Sequence, residues 1–110
     1  IYSGGQAVSA SATQAIEQVF GTRLHIAYGM TETTSPSHLV PLGATPPADP
    51  ATGALSVGIP VYDTIARVLG EDDQPLPPGQ LGEIVVGGPQ VVPGYWGAPP
   101  DGAAAFTADG

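Results

Sequence analysis

Tyr28-Gly-Met-Thr-Glu-Thr-Thr-Ser-Pro36 (YGMTETTSP) follows directly on a short apolar run, Leu24 to Ala27. A plain turn needs a glycine and at most a proline. This one adds an aromatic ring, several hydroxyls and a carboxylate, which is equipment for a ligand. Upstream, Val8, Ala12, Ala15, Ile16, Val19 and Phe20 recur at helical spacing, which predicts an amphipathic helix over 9–20 with one face against a sheet. Ser9 or Ser11 suits its start, and Gly21 stands where a helix-ending glycine belongs. Residues 24–27 then read as a short strand, and Ile1-Tyr-Ser-Gly-Gly5 as the end of another entering a glycine turn. The order is strand, turn, helix, strand, loop. In open α/β sheets, ligands bind at such loops, beyond the carboxyl ends of strands.

Downstream, residues 35–58 are expected to be loop, with prolines at 36, 41, 46, 47 and 50. Thr64 to Leu69 alternates as a strand does, residues 70–79 form a polar, turn-rich connection, and Leu81 to Val86 reads as a second strand. This predicts an antiparallel pair with Gly87-Gly-Pro89 as its exit. Tyr95-Trp96 reads as a hydrophobic plug for that unit, and residues 101–106 offer the start of a short helix. The fold expected is an α/β or α+β fragment. Residues 1–58 would be the end of an α/β subdomain carrying the ligand loop, and 59–110 a small antiparallel β subdomain.

Composition narrows the function classes. The 110 residues include 16 glycines, 13 prolines, ten acidic residues, two arginines and no lysine, for a formal charge of −8. Phosphate backbones and anionic membrane surfaces need clustered Lys or Arg, so the charge argues against nucleic acid and anionic lipid as partners. The absence of cysteine removes disulfides, thiolate metal sites and cysteine nucleophiles. No apolar run approaches a membrane span. With 42% of residues hydrophobic and 11% charged, the chain is expected to fold.

By residue type, the opening stretch fits a nucleotide. The Tyr28 ring offers a platform for a base, the Thr31 hydroxyl a donor to a phosphate oxygen, and the Glu32 carboxylate a ligand for Mg²⁺. The plainer alternative is a strand-exit turn with a half-buried Tyr and a solvated Glu. Ser3-Gly-Gly-Gln6 is either a ligand-facing turn or a simple strand-to-helix connection. His25 reads as a packed histidine and His38 as a loop one, while Glu71-Asp72-Asp73 lacks the spacing of a calcium loop and reads as a solvated hairpin tip.

Taken in order, Ser3-Gly-Gly, Tyr28-Gly-Met-Thr-Glu32, Ser56-Val-Gly-Ile-Pro60, Pro78-Gly-Gln-Leu-Gly-Glu-Ile-Val-Val86 and Gly88-Pro-Gln-Val-Val-Pro-Gly-Tyr-Trp96 resemble one group. It is the adenylate-forming superfamily of acyl-CoA synthetases, luciferases and peptide-synthetase adenylation domains. Met30, where adenylation domains more often carry proline, and the following Thr-Thr-Ser-Pro make the stretch most similar to fatty-acyl and aryl CoA ligases. The resemblance implies a fragment of the large N-terminal domain, truncated before the hinge and the C-terminal domain, with the phosphate-binding loop and catalytic lysine in other segments of the parent chain.

The chemistry it implies is attack of a carboxylate, expected to be a fatty acid, on the α-phosphorus of ATP to give an acyl-adenylate. Transfer to coenzyme A follows. By position, Gly5, Gln6, Ile26, Ala27, Tyr28 and Gly29 would hold the adenylate and Thr31 the α-phosphate. Glu32 would hold Mg²⁺, and Gly29, Met30 and Pro36 would lie near the acyl group. Gln6-Ala7 departs from the family's small-residue-then-proline pattern, and Gly87 stands where an arginine is common. Luciferase-like oxidation, transfer to a carrier protein, or a non-enzymatic acidic β-rich binding module are the alternatives. The resemblance implies a cytoplasmic or membrane-peripheral enzyme whose partners are a small carboxylic acid and a nucleotide.

Overall fold

The computed structural model describes residues 1–34, 36–97 and 105–107. Strand β1 (Tyr2–Ser3) leads through the glycine turn to helix α1 (Ala10–Phe20), and strand β2 (His25–Tyr28) returns beside β1, parallel to it, pairing Tyr2 with His25 and Ser3 with Ile26. The helix starts where the sequence asks. Ser9 is extended, and its hydroxyl accepts the Ala12 N–H at 3.2 Å. It stops at Gly21, whose left-handed backbone (φ 63°) lets its N–H donate to the Glu17 carbonyl at 2.9 Å. The Glu17 carboxylate then accepts the Leu24 N–H at 2.8 Å, tying the helix end to the start of β2. The expected burial of one helix face is not realised. No residue of α1 is fully buried, and Val19 and Phe20 are 78% and 64% exposed. The reason is area: strands of two and four residues offer little surface to cover a helix of 11.

Beyond β2 the sheet changes direction. A short 3₁₀ turn, η1 (Thr31–Thr33), leads to strand β3 (His38–Leu39), antiparallel to β2, and β4 (Ile59–Pro60) pairs antiparallel with β3. The sheet order is β1-β2-β3-β4. The expectation of loop throughout 35–58 is therefore corrected at His38 and Leu39. Two residues are too few to show an alternating pattern; pairing on both sides makes them a strand. For the same reason His38 is not a loop histidine but a buried strand residue. The core runs along this sheet, with Leu24, Ile26 and Val40 buried beside the polar Thr33, Ser37, His25 and His38.

The second sheet is the expected antiparallel pair, β5 (Ile65–Leu69) with β6 (Glu83–Gly87), in register from Ile65 opposite Gly87 to Leu69 opposite Glu83. Between them the chain folds back after a tight turn, where Gly70 N–H donates to Gln74 O (2.9 Å) and Leu76 N–H to Val68 O (2.8 Å). Glu71, Asp72 and Asp73 sit exposed at its tip, as a solvated turn requires. Tyr95-Trp96 does not form the expected plug. Trp96 is fully exposed, and Tyr95 is 44% exposed, its ring edge-to-face with Phe106 at 5.9 Å between centroids. The predicted short helix over 101–106 lies almost wholly outside the described residues.

Candidate functional site

At the carboxyl ends of the parallel strands β1 and β2 lies an open cleft of about 670 Å³. The glycine turn after β1 forms one wall and the loop after β2 the other. Gly4 is needed at the first wall, because a Cβ there would stand 2.6 Å from the Ala27 carbonyl oxygen. Gly5 has φ 90°, a conformation that side-chain-bearing residues rarely adopt. The cleft gathers Gly5, Ala27, Tyr28, Gly29, Met30, Thr31, Glu32 and Pro36 from the sequence-predicted set. Ile26 and Gln6 are not among its lining: Ile26 is buried in the core, its carbonyl accepting the Val40 N–H at 3.0 Å, and Gln6 is exposed.

Three residues that the sequence reading did not assign to the site shape the loop. Thr33 is 1% exposed, and its hydroxyl donates to the Met30 carbonyl (3.0 Å) and accepts the Met30 N–H (3.1 Å). With Thr33 turned inward, its neighbours are set apart from it: Thr31 is exposed and Glu32 half-buried, both lining the cleft. Among the described residues no protein group partners the Glu32 carboxylate. Ser37 and His38 stand behind Tyr28. The His38 imidazole meets the Tyr28 ring edge-on at 5.7 Å, and its Nδ1 lies 3.0 Å from the buried Ser37 hydroxyl. Ser37 N–H donates to the Tyr28 carbonyl at 2.8 Å. Burial pushes the His38 pKa below its ordinary 6.5, so the ring behind the tyrosine is neutral. No local signal separates Thr33 from Thr31 in the sequence, since the same hydroxyl faces opposite ways two residues apart. His38 was masked by its reading as loop. His25 packs on Tyr2 at 5.4 Å, away from the cleft lining.

The arrangement offers a flat ring, three glycine backbones, and a hydroxyl and a carboxylate without partners among the described residues, around one opening. That suits a ligand with a planar group and anionic oxygens.

Residues 1–96 match the family of AMP-binding enzymes. The chain is 44% identical over 98 residues to a sulfoacetate–CoA ligase of Cupriavidus necator, and 38% identical over 96 residues to a long-chain-fatty-acid–CoA ligase of Escherichia coli. These alignments take in 88% and 87% of the chain but 18% and 16% of those relatives, so the chain spans under a fifth of their length. In three dimensions it is similar to MatB of Rhodopseudomonas palustris with ATP bound, with a TM-score of 0.78, 30% identity, and 99% of this chain against 20% of that one. With its family match, its sequence relatives and its structural likeness in agreement, the chain belongs to the AMP-binding enzymes, the adenylate-forming superfamily.

Proposed function

We propose that this chain forms the nucleotide-facing part of an ATP-dependent acyl-CoA ligase that converts a carboxylic acid, of the fatty-acid class, to its adenylate and then its coenzyme A thioester. The observation that carries the reading is the gathering of Tyr28, Thr31 and Glu32 with the Gly4–Gly5 backbone around one cleft. Tyr28, backed by neutral His38, is the platform for adenine. Thr31 donates to the α-phosphate, where charge builds during attack by the acid. Gly29, Met30 and Pro36 face the acyl group. Residues 1–58 supply the cleft, and the chain from 59 onward, after β4 has closed the first sheet, supplies a smaller β unit.

The site also fits Mg²⁺, though not as an all-protein cage. Among the described residues no group of three or more His, Asp or Glu converges. Glu32 presents to the cleft a carboxylate with no partner among the described residues, and Mg²⁺ is commonly held by one or two carboxylates plus substrate phosphates. Bound there, the ion would neutralise phosphate charge. No helix among the described residues is long and apolar enough to cross a membrane, and a cytoplasmic placement is part of this proposal.

The test is carboxylate-dependent ATP–pyrophosphate exchange by the full-length ligase carrying this segment. Glu32→Gln is expected to lose about a hundredfold in exchange, the scale of removing one transition-state charge contact. Its stability should move by no more than about 0.5 kcal/mol, as for a substitution that breaks no bond among the described residues. If activity and stability fall together, the metal role is lost.

A further inference from the structure

The Gly88-Pro-Gln-Val-Val92 stretch contributes no residue to the cleft lining, yet it contacts two residues of that lining, Glu32 and Thr34. Val92 N–H donates to the Glu32 carbonyl at 2.8 Å. The Thr34 hydroxyl lies 2.8 Å from the Thr33 carbonyl and 3.1 Å from the Gln90 carbonyl, and its one proton is shared between these two acceptors. Thr34 is the residue that needs holding. It is β-branched, yet its backbone is left-handed at φ 53°, a conformation such residues rarely accept. The segment doing the holding is itself anchored. The Gln90 side-chain amide donates to the Thr64 hydroxyl at 2.6 Å, reaching the turn that opens β5. Gly88 leaves the room for this crossing, since a Cβ there would stand 2.5 Å from the Gln90 amide oxygen and 2.7 Å from the Asp63 carbonyl.

We infer that Thr64 and Gln90 are positioning residues for the reaction. Together they form a latch that fixes residues 90–92 and, through them, the placement of Thr31 and Glu32 in the cleft. Neither side chain lines the cleft, so their effect on chemistry passes through the backbone of the 31–34 turn. Three contacts spanning 26, 56 and 60 residues of sequence join the hairpin β5–β6 to the loop after β2. The function of the latch rests on the ligase reading above; its geometry does not.

The experiment compares Thr64→Val, which deletes the acceptor hydroxyl at nearly constant shape, with Thr64→Ser, which keeps it, both in the full-length ligase. Two readouts are taken: kcat and KM for the carboxylic acid in ATP–pyrophosphate exchange, and hydrogen-exchange protection of the Val92 amide. Small misplacements of reacting groups are costly, so Thr64→Val is expected to lose roughly tenfold or more in kcat with KM within about twofold of the parent. Its Val92 amide is expected to exchange about tenfold faster, as a locally released hydrogen bond does. Thr64→Ser is expected to restore both. Parent-like kcat in Thr64→Val, or equal impairment in Thr64→Ser, overturns the positioning role, and unchanged Val92 protection overturns the latch. If the parent itself shows no exchange with any acid, the ligase reading falls and takes the positioning role with it. The Val92 amide still reports on the latch in that case.

Discussion

Gly58 shows how a single residue can be fixed by neighbours far away in sequence. Its backbone has φ 93° and lies against β3 so closely that a Cβ would overlap the Leu39 carbonyl. Both facts count against any side chain, and neither is cheap to relieve, because the obstructing atoms are backbone in a paired strand. Gly58→Ala is expected to destabilise the fold by about 2–4 kcal/mol, the combined scale of a strained backbone and an overpacked contact. The shift in urea midpoint at constant slope measures it, and a change under about 0.5 kcal/mol, typical of neutral surface sites, would refute the close-packing account. The threonines of η1 teach the complementary lesson. Thr31 and Thr33 carry the same hydroxyl, but one lines the cleft and the other is spent on the Met30 backbone. Chemistry at this site is assigned by direction, which residue type alone does not encode.

Among the elements, α1 was legible because its signals are local: a hydroxyl before the first turn, a 3.6-residue apolar spacing and a glycine after the last turn. The β5–β6 pair was legible for the same reason, through alternation on both sides of a polar connection. Strand β3 was not, because two residues carry no period and its existence depends on β2 and β4 lying to either side. The cleft followed this division. Its glycine turn and the YGMTE loop could be read directly, whereas the bonds from residues 90 and 92 join positions whose proximity only folding creates. The hidden strand has a measurable consequence. His38 is buried in β3 between the Tyr28 ring and the Ser37 hydroxyl, and desolvation lowers its pKa. The unfolded chain therefore takes up this proton first as pH falls below about 6.5. The stability His38 contributes is fully present above that pH and is lost as pH drops through the lower, folded-state value. Asp49 does not confuse the window: its carboxyl is held below the usual carboxylate range, chiefly by the Thr52 backbone N–H, and titrates at lower pH. The parent is expected to lose urea resistance between pH 7 and pH 5, and His38→Gln to lose less. An equal loss in both would place the pH dependence elsewhere.

At the scale of the whole molecule, charge decides what the chain can do by itself. ATP and coenzyme A are polyanions, and a protein that binds them must supply cations or oriented donors to offset them. This chain carries a formal charge of −8 with two arginines and no lysine. One arginine, Arg23, donates to the carbonyls of Gly43 and Ala44, and the other, Arg67, sits within β5. Neither lines the cleft. On the proposed reading, the cleft offers a carboxylate for a metal ion and a platform for a base, and both would work only once phosphate charge is neutralised from another direction. The surface agrees. Val19, Phe20, Tyr62, Leu81 and Trp96 are each more than 60% exposed, a large apolar area for a chain that matches less than a fifth of its relatives' length. The isolated 110-residue chain is therefore expected to show no carboxylate-dependent ATP–pyrophosphate exchange and only feeble, Mg²⁺-dependent nucleotide binding, while readily binding an apolar dye. Calorimetric titration with ATP, with and without Mg²⁺, and an exchange assay at high chain concentration measure both. Exchange by the isolated chain would mean that its own residues neutralise the phosphates, and the division of labour argued from the missing lysines would be wrong.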